Sequence, residues 1–277
     1  MAPAELFSVP IPARPSHPGG SIVCTTPAPR VYLLTFTSPP DNRLTPEFCT
    51  ALITALDVIE FGHEPGVVVT TSGIQKFYSN GLDLGLAIAT KGFWETSLYP
   101  LFRRFLSYPM PTVALINGHA FAGGIMLAMH HDYRVFTGRA RGGYACVNEL
   151  EFGAPLPAPL ACIFRIKTTP LVYRSLVLEA KRYDAQAALE AGIVDAVGDL
   201  DAVLKLIEDR NLVVKGTKGS YGLLKAEMYK ESMALLEAKN PSVIRLSEVQ
   251  EVNAKKREDG EKWYKQWKES QGQKAKL

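Results

Sequence analysis

An α/β core of parallel strands joined by right-handed helical crossovers is the fold class this sequence predicts. Two observations carry it. Short β-branched runs at residues 31–37, 67–71 and 112–116 alternate with stretches whose apolar residues fall at helical spacing. Glycine-bearing segments follow the second and third runs, where a chain leaving a strand for a helix has to turn.

In chain order, residues 1–29 hold Pro3, Pro10, Pro12, Pro15, Pro18, Pro27 and Pro29, with Gly19 and Gly20 between them. Proline fixes φ and removes a donor, so this density predicts a flexible leader outside the fold. Order is expected from Val31, with a Pro39-Pro40-Asp41-Asn42 turn closing the first strand. Thr45 is then a helix N-cap, Pro46 the first helical residue and Glu47 an acid in the first turn. Leu52, Ala55, Leu56 and Ile59 give that helix its apolar face. A second helix leads to Leu106, and later Asp184 caps a helix that Gly192 ends. Beyond Asp201 strand signals fade, and residues 220–270 are helical in pattern and dense in Lys and Glu. The run at residues 255–259 reads as a solvated helix face, while Trp263 and Trp267, at i and i+4, are placed to dock one face on a core or on another subunit. The expected organisation is a leader at 1–29, a core at 30–200 and a C-terminal helical region at 201–277.

The totals narrow the function classes. Of 277 residues, 47% are hydrophobic and 21% charged, which supplies a core of ordinary size. The net charge of +3 is too small to indicate a nucleic-acid partner. Cys24, Cys49, Cys146 and Cys162 lack any C-x-x-C spacing, so neither a disulfide framework nor a zinc site is expected. No apolar run has the length of a membrane span, and the N-terminus lacks the pattern of a secretory signal. An intracellular soluble protein with no membrane partner is the expectation.

Three segments carry candidate chemistry: residues 76–84, 117–132 and 148–157. Backbone N–H groups in glycine loops and at helix N-termini lack internal acceptors and share the positive end of the helix dipole. Two such groups, one from each of the first two loops, suit a developing enolate oxygen.

These segments resemble the crotonase, or enoyl-CoA hydratase/isomerase, superfamily. The resemblance runs from about Val31 to Gly198, and its most specific block is Asn117-Gly118-His119-Ala120, Gly123-Gly124, Leu127-Ala128 and Asp132. It implies a crotonase-type spiral of repeated β-β-α turns with a C-terminal helical region, assembled as a homotrimer or hexamer. It implies an acyl-CoA thioester as substrate, with no separate cofactor and no metal. It places the two oxyanion amides at Leu82 and Gly123, and Ser79, Asn80, Gly81, Asp83 and Met126 along the substrate. The carbonyl of Asn80 falls where the family meets the adenine amino group.

The same resemblance separates two reactions. Hydratases of this family place a first glutamate three residues after the oxyanion glycine, and here that position is Met126, which cannot transfer a proton. The second glutamate corresponds to Glu149, four residues before Gly153; Glu151 is its competitor, since residues two apart in an extended segment share a side. One carboxyl suffices to move a proton from the α- to the γ-carbon, and an aliphatic pocket would raise its pKa toward neutrality. The implied activity is isomerisation of 3-enoyl-CoA to 2-trans-enoyl-CoA, in the manner of plant and fungal peroxisomal Δ3,Δ2-enoyl-CoA isomerases. The competing readings are a hydratase or dehydratase of a specialised acyl-CoA in a biosynthetic route, and a non-catalytic acyl-CoA-binding subunit.

His130-His131-Asp132 invites a metal site, but neighbours on a helix point about 100° apart, which opposes convergence on one ion. The last residues, Ala275, Lys276 and Leu277, resemble a Ser-Lys-Leu address, which implies an import receptor as partner and the peroxisomal matrix as location.

Overall fold

The computed structural model describes residues 5–137, 142–237 and 246–274. Strands β1 (Glu5–Ile11), β2 (Gly20–Ala28) and β3 (Val31–Thr37) form an antiparallel meander that leads into helix α1 (Pro46–Gly62). Three β-β-α passages follow. The first is β4 (Val67–Ser72), β5 (Phe77–Ser79) and α2 (Leu84–Ala89), continued by a π turn at Trp94–Leu98 into α3 (Tyr99–Ser107). The second is β6 (Thr112–Ile116), β7 (His119–Phe121) and α4 (Gly123–His130). The third is β8 (Tyr133–Phe136), β9 (Ala145–Cys146), a 3₁₀ turn at Glu149–Phe152 and α5 (Ala158–Lys167). Then come α6 (Pro170–Leu178), α7 (Ala185–Glu190), β10 (Ala196–Val197), α8 (Leu200–Asp209), α9 (Leu212–Gly216), α10 (Tyr221–Met228), α11 (Lys230–Leu235) and α12 (Leu246–Lys274).

Among the described residues the first strands of the passages join one sheet, β1-β2-β3-β4-β6-β8-β10, and the second strands form another, β5-β7-β9. Pairing is parallel from β3 onward in the large sheet and throughout the small one. This is the crotonase spiral.

Period-two alternation explains why the central strands are apolar on both faces. Tyr32, Leu34, Phe36, Val68, Ala114 and Ile116 join the core shared with α1, α3 and α4. Their neighbours Val31, Leu33, Val67, Val69, Val113 and Leu115 pack with Val203, Leu206 and Ile207 of α8. The α1 start is built as its sequence dictates, with Thr45 Oγ1 accepting from the Phe48 amide at 3.2 Å and Pro46 following it.

Two expectations need correction. Residues 5–28 are not a leader outside the fold but two strands of the large sheet. β1 is an edge strand, where Pro10 is tolerated, and Pro27 lies at the register shift between Thr25 and Ala28. Nor does a boundary fall at 200/201, because α8 covers one face of the sheet. The compact units are residues 1–240 and 241–277, and the described part of the second is α12. In α12 the Trp263 and Trp267 rings stack with centroids 6.4 Å apart. No helix among the described residues is long and apolar enough to cross a membrane.

Candidate active site

The first two glycine loops meet where β5 and β7 end. Gly81 has φ +77°, and a Cβ there would lie 2.7 Å from the Gly123 amide nitrogen and 2.8 Å from the Phe121 carbonyl oxygen. A Cβ on Gly124 would lie 2.1 Å from the Ser79 carbonyl oxygen. These two positions therefore need glycine for close backbone approach, the first for its conformation as well. Ser79 is fully buried, and its Oγ donates to the Asn42 carbonyl at 2.7 Å and accepts from the Gly81 amide at 3.2 Å.

The carbonyls of Asn80, Gly81 and Leu82 each have a partner. Arg43 Nη1 donates to Leu82 O at 2.7 Å and Asn80 O at 3.2 Å, and the Leu44 amide donates to Gly81 O at 2.9 Å. The Asn80 carbonyl thus keeps one lone pair for a ligand. Asp83 caps α2 by accepting from the Leu86 amide at 3.0 Å, and its other oxygen lies 3.0 Å from His17 Nε2. Beneath the loop, Asn42 Nδ2 donates to Tyr78 O at 3.0 Å and Ser72 Oγ at 2.6 Å.

Gly123 opens α4, so its N–H has no acceptor within the helix. Ala122 precedes it at φ +48° and gives no side-chain cap. Met126 is 1% exposed, one turn along α4 in the main apolar core.

The third segment is held beside the second by backbone pairing. The Ala122 amide donates to Cys146 O at 2.9 Å, and Glu149 follows three residues later, within roughly 11 Å of extended chain. The segment is not extended at Glu149 and Glu151, as alternation had suggested, but a 3₁₀ turn closed by Gly153 at φ +70°. The turn sends the two carboxyls to different surroundings. Glu151 is exposed and both of its oxygens accept from Arg182 Nη2 at 3.1 Å. Glu149 is 9% exposed, and its Oε2 is buried with no hydrogen-bond partner among the described residues. Burial raises its pKa from 4.5 to about 7, so near neutral pH it both takes and returns a proton.

A cavity of about 440 Å³ is lined by Leu82, Asp83, Arg43 and His17, and by Phe152 from the turn that carries Glu149. The 130–132 triplet lies elsewhere, at the far end of α4. His131 is bonded through Nδ1 to Leu127 O at 3.0 Å and through Nε2 to Thr70 Oγ1 at 2.9 Å. His130 Nδ1 lies 2.7 Å from Met126 O, its ring stacks on Phe102 at 4.0 Å, and burial lowers its pKa to about 3. Asp132 Oδ2 accepts from the Thr112 amide and Lys225 Nζ. Ala275, Lys276 and Leu277 lie outside the described residues.

Three participants were missed at the level of sequence. Asn42 ends the predicted Pro39-Pro40-Asp41-Asn42 turn and Arg43 follows it, but the carbonyls they hold are named by no residue pattern. His17 sits in the segment assigned to the leader.

A β-β-α spiral with paired glycine loops beside a buried carboxyl defines a crotonase-class enzyme. The enoyl-CoA hydratase/isomerase family matches residues 28–269, and the chain belongs to that family. Two curated relatives come from Arabidopsis thaliana. Enoyl-CoA delta isomerase 1, peroxisomal, is 33% identical over 214 residues, covering 73% of this chain and 87% of its own length. Enoyl-CoA delta isomerase 3 is 31% identical over 222 residues, covering 75% and 92%. The crystal structure of human mitochondrial delta3-delta2-enoyl-CoA isomerase superimposes with a TM-score of 0.68 at 26% identity, covering 78% of this chain and 85% of that one.

Proposed function

We propose that the protein converts 3-enoyl-CoA to 2-trans-enoyl-CoA, with Glu149 as the single proton carrier. The observation that carries this reading is the buried Glu149 carboxyl, with one oxygen unpaired among the described residues and a pKa near 7. In the ionised form it takes the proton from the α-carbon, between the thioester and the double bond. Electrons shift onto the thioester oxygen, giving a dienolate that accepts hydrogen bonds from the Leu82 and Gly123 amides. Glu149, now protonated, returns the proton to the γ-carbon, and the double bond re-forms in conjugation. No water is consumed, which suits a site with Met126 where a second acid would stand. Ser79, Gly81 and Asp83 shape the loop against which the thioester lies, and Asn80 offers its remaining lone pair to the adenine. The thioester supplies its own activation, so the reaction calls for no cofactor.

The wider assignment follows the relatives. Arabidopsis enoyl-CoA delta isomerase 1 is named peroxisomal, and the human isomerase is named mitochondrial. The peroxisomal names of two Arabidopsis relatives favour the peroxisomal matrix and a place in fatty acyl-CoA breakdown, with a homotrimer or hexamer as the assembly.

The deciding experiment gives purified protein 3-enoyl-CoA substrates of several chain lengths and follows the conjugated product, with Glu149→Ala alongside. Turnover by the parent and its loss in the variant is the expected result. Net hydration of 2-trans-enoyl-CoA without isomerisation would replace this reading by the hydratase one.

A further inference from the structure

We propose that His17, at the tip of the β1–β2 hairpin, is a positioning residue that aims the Leu82 amide. This rests on the reading above, in which that amide receives the thioester oxygen. The hairpin tip is a built structure: Arg14 and His17 exchange backbone hydrogen bonds of 2.7 and 3.1 Å. Arg14 Nη1 also reaches Glu47 Oε2 on α1 at 3.4 Å. His17 is 8% exposed and meets Asp83 Oδ2 at 3.0 Å.

Asp83 is therefore a bridge, with one oxygen on the start of α2 and the other on the hairpin. The Leu86 amide, and after it His17, hold its carboxyl below the usual range, against a partial burial that raises it. The loop from Asn80 to Asp83 is gripped at both ends. On the upstream side Arg43 and the Leu44 amide take the carbonyls of Asn80, Gly81 and Leu82. On the downstream side the grip is Asp83, through His17 and the α2 cap. Gly81, at φ +77°, lies within the upstream grip, where the Leu44 amide holds the carbonyl of the Gly81–Leu82 peptide. The Leu82 N–H at the other side of that peptide is set jointly by this bond and by the Asp83 side of the loop. An oxyanion donor works only while it points at the developing charge, and a displacement of about 1 Å can cost on the order of a hundredfold. Because His17 and Leu82 line one cavity, the hairpin tip also forms part of the cleft wall.

The test uses full-length protein and two substitutions with opposite features. His17→Phe keeps a ring and removes the hydrogen bond, and His17→Gln keeps a donor at similar reach and removes the ring. The probe is a conjugated dienoyl-CoA, whose absorption moves to longer wavelength when its carbonyl is polarised. It is read beside kcat and KM for 3-enoyl-CoA. The expected result for His17→Phe is loss of most of the band shift, kcat lower by ~10- to 100-fold and KM within about twofold of the parent. His17→Gln should restore both band shift and kcat. Where His17→Phe lowers the melting temperature, His17→Ala is read in its place. A full band shift and parental kcat in the Phe or Ala variant would overturn the proposal, as would a loss that Gln does not restore. A parent that binds the dienoyl thioester without any band shift overturns the oxyanion reading itself, and this proposal with it.

Discussion

The two ends of helix α4 are treated in opposite ways. At the N-terminal end Ala122 provides no side-chain cap, and the Gly123 amide opens the helix beside the Gly81 turn. At the C-terminal end the His131 carbonyl accepts from Lys167 Nζ at 2.6 Å and Arg134 Nη1 at 3.0 Å. The adjacent Asp132 Oδ2 takes the Thr112 amide at 2.9 Å and Lys225 Nζ at 3.0 Å. Cations at a helix C-terminus and satisfied carbonyls stabilise it, whereas an unsatisfied N-terminus is a cost unless something binds there. The same division separates the carboxylates. Asp132 Oδ2 has the buried Lys225 cation 3.0 Å away, while Glu149 has no ion-pair partner among the described residues; each carboxylate keeps one buried oxygen without a hydrogen bond there. One end is closed by side chains from elsewhere in the fold, and the other leaves the Gly123 amide without a helical acceptor or a side-chain cap.

Removing the carboxyl at the open end should have the largest effect on rate. Glu149→Gln keeps the volume and cannot carry the proton, so kcat should fall on the order of 10³- to 10⁴-fold, as general acid–base catalysis allows. Substrate affinity should change little, since the amides and cleft remain. Steady-state kinetics with 3-enoyl-CoA, paired with equilibrium binding of the 2-trans product, checks both parts. A variant within about tenfold of the parent would return Glu151, or another group, to consideration as the base.

The closed end should respond in stability instead. Lys225 is 4% exposed, and Lys225→Met leaves the Asp132 carboxylate buried without its cation. Removing one partner of a buried pair costs about 3–5 kcal/mol. Urea unfolding should show that loss. Adding Asp132→Asn should recover part of it, because the second substitution removes the stranded charge. Residual kcat in the folded fraction should stay near that of the parent. An equal loss of kcat and stability would mean the two ends of α4 are coupled rather than independent.

How much of this was legible in the sequence follows the distance over which each feature is determined. The Thr45-Pro46-Glu47 helix start and the Asp184 cap are local, and both were readable from a few residues. The glycine loops were visible as turns, and their pairing came only through the family resemblance, because Gly81 and Gly123 are far apart in sequence. The C-terminal closure of α4 was not readable at all. Asp132 meets Lys225 across 93 residues, and nothing near either marks the other. Proline density misled at residues 1–29, since a local rule against strands yields where the strand is an edge or the ladder shifts. Choosing Glu149 over Glu151 rested on register with Gly153. Their different surroundings arise from a 3₁₀ turn that the residue pattern did not announce.

The smallest expected effect concerns stability at the open end, and its sign is opposite to that at the closed end. Burial raises the Glu149 pKa to about 7 in the folded state, against 4.5 ordinarily. A carboxyl with a raised folded pKa favours the folded state fully below about pH 4.5, and that contribution is lost as pH rises through about 7. At ~1.4 kcal/mol per pH unit the difference is at most about 3.5 kcal/mol, reduced by what solvent still reaches the group. Glu149→Gln carries no such charge, so relative to the parent it should gain stability of about 2 kcal/mol between pH 4.5 and pH 8. Melting curves of both proteins across that range check it, since other titrating groups are common to the two and cancel in the difference. On the proposed mechanism the base and the unfavourable charge are then one group. A flat difference across the range would mean that Glu149 ionises in the folded protein as it does in water, and would remove the observation on which the single-carboxyl proton shuttle stands.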